Sequence, residues 1–391
     1  MKKFINLSVS LGSLFFSLSV SAMDLPEESE TQIKAPRLDS LASQSIFRSC
    51  EKDAENGDYT QITTYREQAS PDIQELIFSK IYNPSPSKEL NVKFISFLSS
   101  VDLSNNINLF NAIYKNPTFL KPLSESKFLR SMIVKGGSRG ILGEHVSALK
   151  YLTNLRYLDV MDNCIGVHVS TLQNLTNLTN LRVNRNGIGA HVSALKNLTN
   201  LTHLDMSWND IGTYVSALQY LINLRHLNVT HNNIGTHGSA LQYLTNLTYL
   251  NVTHNGIGTH VIALQYLTNL THLDVRSNKI GEHVIALQYL TNLTHMDMGW
   301  NDIGTYMSAL QYLINLRHLN VTHNNIGTHV IALQYLTNLT HLDMGWNDIG
   351  TYVSALQYLT NLRYLDVREN KIRTLEDVLQ NLINRAAEVR I

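Results

Sequence analysis

The sequence predicts an α/β solenoid, with a parallel sheet along one side, short helices along the other, and a small all-α segment in front. Three observations predict it. Ten asparagines, Asn163, Asn186, Asn209, Asn232, Asn255, Asn278, Asn301, Asn324, Asn347 and Asn370, recur every 23 residues without a slip. Around each of them the apolar residues keep one order, L-x-x-L-x-x-L-x-[VM]-x-x-N-x-I-G, followed by a stretch such as THVIALQY. The chain ahead of the repeats instead breaks into apolar clusters separated by Pro and Asn. Self-similarity at a fixed period of roughly 20–50 residues marks a chain built by stacking one small unit on the next.

Each part of the unit has a physical reason. Leu204 and Met206 alternate with Asp205, a period of two, which places them on the inner face of a short strand. The Asn follows where the chain must turn, and its amide can donate and accept at once, so a column of them can satisfy the turn's backbone groups. Ile211 then re-enters the core, and Gly212 allows a bend that other residues resist. The SALQYL stretch carries Ala and Leu at helical spacing, enough for one or two turns on the convex side.

Over about 142–375 this pattern resembles the leucine-rich repeat, and its 23-residue length is similar to the short repeats of bacterial internalin-like proteins. The resemblance implies a shallow arc whose concave sheet binds another macromolecule, with roles in host or cell-surface contact. An envelope scaffold without a specific ligand is the alternative reading.

The chain divides as follows. Residues 1–22 read as an export leader: Lys2 and Lys3, an apolar run, then small residues at Val20-Ser21-Ala22. Residues 23–39 are a polar, acidic linker, and 40–127 are expected to form a small helical cap domain from clusters such as DIQELIFSKIY. The solenoid covers 128–374, about ten full repeats plus a degenerate first one that lacks the Asn. Residues 375–391 place Leu375, Val378, Leu379, Leu382 and Ile383 at helix spacing and read as one amphipathic capping helix. Export implies a secreted, periplasmic or cell-surface protein, and the mature chain offers no run of about 20 apolar residues that would span a membrane.

Composition narrows the function. With 31 basic against 31 acidic residues the chain lacks the field of a nucleic-acid binder. Nothing reads as an enzyme: there is no phosphate loop, zinc-protease helix or Cys cluster, and the first His, His145, lies beyond the segment that holds Cys50. No cofactor is implied. The many N-x-[ST] triplets follow from the repeat and carry no message about glycans.

The outward residues of the strands fall into columns. Six positions before the Asn stand His272, His295, His318 and His341 in succession; two residues on come carboxylates that include Asp297 and Asp343. Immediately before the Asn stand Trp208, Trp300 and Trp346, interleaved with His231, His254 and His323. Copying of a module accounts for their recurrence by itself, since 201–236 and 293–328 are near-identical. Aromatic side chains on an exposed sheet also serve as anchors for a protein partner. Neighbouring imidazoles could share a metal ion, but a tetrahedral set needs a further ligand that the alternation does not supply.

Overall fold

The computed structural model describes residues 4–11, 14–21, 100–102, 129–136, 142–372, 377–384 and 388–391. It divides into two compact units, Met1–Val134 and Lys135–Ile391. In the first, Phe4–Leu11 and Leu14–Ser21 pair antiparallel, Phe4 opposite Ser21 and Leu11 opposite Leu14, inside the expected leader. The expected linker and most of the expected helical domain lie outside the described residues. The part of 40–127 that is described, Ser100–Asp102, is a strand rather than a helix, paired parallel with Ser131–Ile133.

The second unit is the solenoid. Ten three-residue strands, from Tyr157–Asp159 to Tyr364–Asp366, stack in sequence order as a parallel sheet. Residues 23 apart sit side by side, so that His272, Leu273 and Asp274 face His295, Met296 and Asp297. The middle residue of each strand points into the core: Leu204, Leu250 and Leu319 are all but completely buried.

Between the strands run nine-residue 3-10 helices, from Gly143–Tyr151 to Gly350–Tyr358. The helical spacing anticipated from the sequence is thus present in its tighter form, for a reason visible in the repeat. Val215 and Leu218 inside the helix Gly212–Tyr220, and Leu221 at its C-cap, are fully buried and stand three residues apart. A period of three keeps them on one face only if the helix has three residues per turn, which is the 3-10 geometry. Such a helix is weak alone, and here the inward Val and Leu residues hold it against its neighbours.

The asparagine column works as a ladder. The Asn255 amide donates from Nδ2 to the carbonyls of Val229, Val252 and Thr253 at 2.9, 2.9 and 3.1 Å. Its Oδ1 accepts from the backbone N–H of Asn232 at 3.0 Å and of Ile234 at 3.4 Å. All ten members are buried. The chain pays for this turn in backbone strain, because the residues on either side of the Asn are left-handed: Trp300 has φ 59° and Asp302 φ 53°. A bulky side chain rarely adopts that conformation, whereas Asn, Asp and Gly do so more easily. Gly304 follows at φ 46°, and an added Cβ there would meet only one backbone oxygen, at 3.9 Å; the glycine answers to dihedral angle, not crowding.

Two outer ladders were not anticipated. Asn246 donates to the carbonyl of Ile222 and Asn269 to that of Thr245, both at 2.9 Å, and the pattern repeats along the unit. Beside it, hydroxyls such as Thr271 Oγ1 donate to the carbonyl one repeat back, Thr248, at 3.0 Å. Asn246 and Thr248 belong to one N-x-T triplet, so these triplets are structural couplings between repeats.

The C-terminal end differs from the single helix expected over 375–391. Asp377–Asn384 is α-helical, but Glu388–Arg390 joins the sheet, parallel to Tyr364–Asp366. Glu388 N donates to Arg363 O at 2.7 Å, and Val367 N to Arg390 O at 2.8 Å. An open sheet edge leaves N–H and C=O groups unpaired, and a strand satisfies them as a helix cannot. Leu379 is buried, whereas Ile383, expected on the apolar face, is exposed.

Candidate partner-binding face

The open face of the sheet carries two parallel files of rings with a line of carboxylates between them. The first file is the histidine column. His272, His295, His318 and His341 stack face to face with centroids 4.2, 4.3 and 4.2 Å apart, their planes within 14° of parallel. Strand spacing imposes this, since parallel strands lie about 4.8 Å apart and flat rings close that gap by tilting slightly. Tyr249 and Tyr364 stand at the two ends, at 6.2 and 6.1 Å. Together with Asp274, Asp297, Asn320 and Asp343 these residues line a groove of about 410 Å³.

Hydrogen bonding assigns the tautomer of three of these rings. Nδ1 of His272, His295 and His341 lies 2.9 Å from Oγ1 of the preceding threonine. That hydroxyl already donates its one proton to a carbonyl of the previous repeat, as Thr294 does to Thr271. The ring must therefore donate from Nδ1, leaving Nε2 as an acceptor. Burial, then the neighbouring imidazoles, pushes His295 down to about 4 from the ordinary 6.5. The same causes lower His318, with Arg317 adding to them. Stacked rings aim their lone pairs in parallel instead of converging them. Among the described residues no group of three His, Cys, Asp or Glu is placed to hold a metal ion.

The carboxylates differ by partner. Asp297 pairs with Arg276, which contacts both of its oxygens, and also accepts from Asn320 Nδ2 at 3.1 Å. Asp343 accepts from Gly345 N at 3.4 Å, and burial raises its pKa. Burial likewise raises Asp274. Asp366 is half a contrast: burial opposes its charge, but the bonds from Arg368 outweigh this and hold it below the usual carboxylate value. Asn251, in the same column, accepts from Thr230 Oγ1 at 2.7 Å and from Thr253 N at 3.0 Å.

The second file runs along the strand ends. Trp208, Trp300 and Trp346 are 49%, 55% and 43% exposed, as their column position implied. They are not isolated. Trp208 stacks on His231 at 3.8 Å and His231 on His254 at 4.4 Å. Trp300 stacks on His323 at 3.6 Å, which stacks on Trp346 at 4.7 Å. Guanidinium groups cover both outer ends, Arg185 over Trp208 at 5.5 Å and Arg368 over Trp346 at 5.9 Å. Sequence reading missed these two arginines: Arg185 stands in the Trp column one repeat before Trp208, whereas Arg368 lies beside that column, which holds Glu369 at its repeat.

Other candidates are dispersed. Cys164 carries an exposed thiol, while Cys50 lies outside the described residues. Among the described residues no helix is long and apolar enough to cross a membrane.

A family comparison agrees with this architecture. A family model described as "Leucine Rich repeat" matches eight segments between residues 151 and 351, among them 266–282, 289–305 and 335–351. Internalin C2 of Listeria monocytogenes is similar at 24% identity and a TM-score of 0.40, covering 56% of this chain and 82% of its own. A repeat protein of Leptospira interrogans is similar at 17% identity and a TM-score of 0.41, over 78% and 92%. No curated protein matches the chain.

Proposed function

The chain is a leucine-rich-repeat protein, and on that premise we propose that it binds a protein partner on the open face of its sheet. One observation carries the reading: three half-exposed indoles stand in one column along the strand ends, and the repeats of Trp300 and Trp346 also line a groove of carboxylates and acceptor imidazoles. Large aromatic side chains held rigid by stacking lose little entropy when a partner covers them, and they dominate interfaces for that reason. The bare Nε2 atoms and the carboxylates call for a partner segment rich in donors. The protein acts after export, with 1–22 as its leader and host or cell-surface contact as its setting.

Two measurements test this. Protein recovered from outside the producing cell should begin at Met23 by mass spectrometry; an intact N-terminus would remove the export arm. Mature protein is then used to capture its partner from host and bacterial extracts, and the affinity of variants is measured. Trp300→Ala and Trp346→Ala should each weaken binding about tenfold or more, the ordinary cost of losing an anchor. Gln334→Ala, on the helical side, should bind as the parent does. Folded Trp variants with parental affinity would favour the scaffold reading instead.

A further inference from the structure

The second ring file is interrupted once, and the interruption has the shape of a site. At the repeat between His254 and Trp300 the column position is filled by Ser277, which has no ring. Its backbone keeps the same left-handed conformation, φ 55° against 54° for His254 and 59° for Trp300, so the file skips one side chain without changing course. Everywhere else the ring faces in this file are covered. Rings stack on rings inside each run, and Arg185 and Arg368 cover the outermost faces. The two faces that remain are those of His254 and Trp300, and they look toward each other across Ser277. Among the described residues no ring or guanidinium contact covers either one.

The intact run shows what two steps of the file hold: between Trp300 and Trp346 sits one ring, His323, at 3.6 and 4.7 Å. Two steps also separate His254 from Trp300. The repeat is the same and the strands are in the same register, so the slot is one planar group wide. We propose that this slot takes an aromatic side chain of the protein partner, inserted between His254 and Trp300 with Ser277 as its floor.

The surrounding charge selects among flat groups. Arg276 and Lys279 flank Ser277 in sequence, and Arg276 is turned away to Asp297. With Arg276 already neutralised by Asp297, Lys279 is the cation beside Ser277 that disfavours a partner guanidinium. The carboxylates of the adjoining groove disfavour the phosphates that accompany a nucleobase. A neutral ring, Tyr, Phe or Trp, is opposed by neither. Stacking on two faces instead of one doubles the contact a lone exposed Trp could give, and Trp300, the most exposed of the three, borders the gap.

This inference rests on the reading of the face as protein-binding, but its test needs no partner. N-acetyltryptophanamide is titrated into the full mature chain while the imidazole resonances of His254 and the indole resonance of Trp300 are followed by NMR. Saturable shifts at both, with dissociation in the millimolar range, are expected. Ser277→His, which completes the file with the residue found at His231 and His323, should abolish them and leave the melting temperature at or above the parent's. A Ser277→Ala control should retain them. N-acetylargininamide and adenosine are the competing arms, and tighter binding of either overturns the assignment of an aromatic side chain. Absence of saturable shifts, or equal shifts in Ser277→His, overturns the slot itself while leaving the Trp300→Ala and Trp346→Ala tests to judge the wider reading.

Discussion

Replacing Asn255 with Ala is expected to lower the unfolding free energy by about 3 kcal/mol or more, since each buried group left without a partner costs about 1–3 kcal/mol. Five groups lose a bond: the N–H groups of Asn232 and Ile234 are left without a partner, and the carbonyls of Val229, Val252 and Thr253 each fall back on one other donor. Those of Val229 and Val252 belong to two successive repeats, so the damage spans an interface between modules. Asn251→Ala should cost about 1 kcal/mol, because its bonds are only partly buried and water can replace them. Thr259→Ala, at an exposed position, should stay within about 0.5 kcal/mol of the parent. Urea midpoints rank the three variants, with amide exchange at Asn232 and Ile234 reporting the local loss. An Asn255→Ala midpoint no lower than that of Asn251→Ala would show that the ladder does not hold the repeats together.

The second expected result is a loss of stability as the medium is acidified from about pH 6.5 to pH 4. His295 titrates at about 4 in the folded chain and at the ordinary 6.5 when unfolded. Between those values the unfolded chain binds the extra proton, so stability present above pH 6.5 drains away as the pH falls. His318, His226, His231 and His323 are lowered as well and act in the same direction. Asp274 and Asp343 work against it. Their folded pKa values are raised above 3.8, so they take up protons more readily folded than unfolded and recover some stability at the acid end. A variant with Gln at His272, His295, His318 and His341 removes the crowded imidazoles and leaves the carboxylates. Its melting temperature should fall less than the parent's between pH 7 and pH 4.5. Parallel curves would mean that the file of rings is not the seat of the acid response.

How much of this was legible beforehand varies from residue to residue. The asparagine column announced both the fold and its own ladder, because a spacing of 23 over ten copies has one physical meaning. The inward Leu and Val positions followed from alternation. The helical segments were legible in kind but not in pitch: the Ala and Leu of SALQYL read as helix in general, whereas Val215 and Leu218, buried three apart within Gly212–Tyr220, share one face of a 3-10 helix. The outer ladder through Asn246 and Asn269 was hidden inside triplets that look like chemistry for sugars. Glu388–Arg390 is too short to show any period, and only the need to cover the last edge accounts for it. As for the face, its columns could be read in full, down to the serine among the rings. Its meaning could not, since a missing ring matters only once its neighbours are known to stack.

One property of the ladders reaches beyond any single site. The ladder bonds between modules join residues at fixed offsets, 23 for Asn255 N to Asn278, 26 for Asn255 to Val229 and 24 for Asn246 to Ile222. Excising or inserting one whole module shifts both partners together, so each bond re-forms with the equivalent atom next door. The gene can therefore lengthen or shorten by unequal recombination, and the product keeps its geometry at every seam. Selection at the structural columns is indifferent to copy number. What such an event does alter is the order of rings along the file, so recombination reshuffles the recognition surface while the backbone stays unchanged.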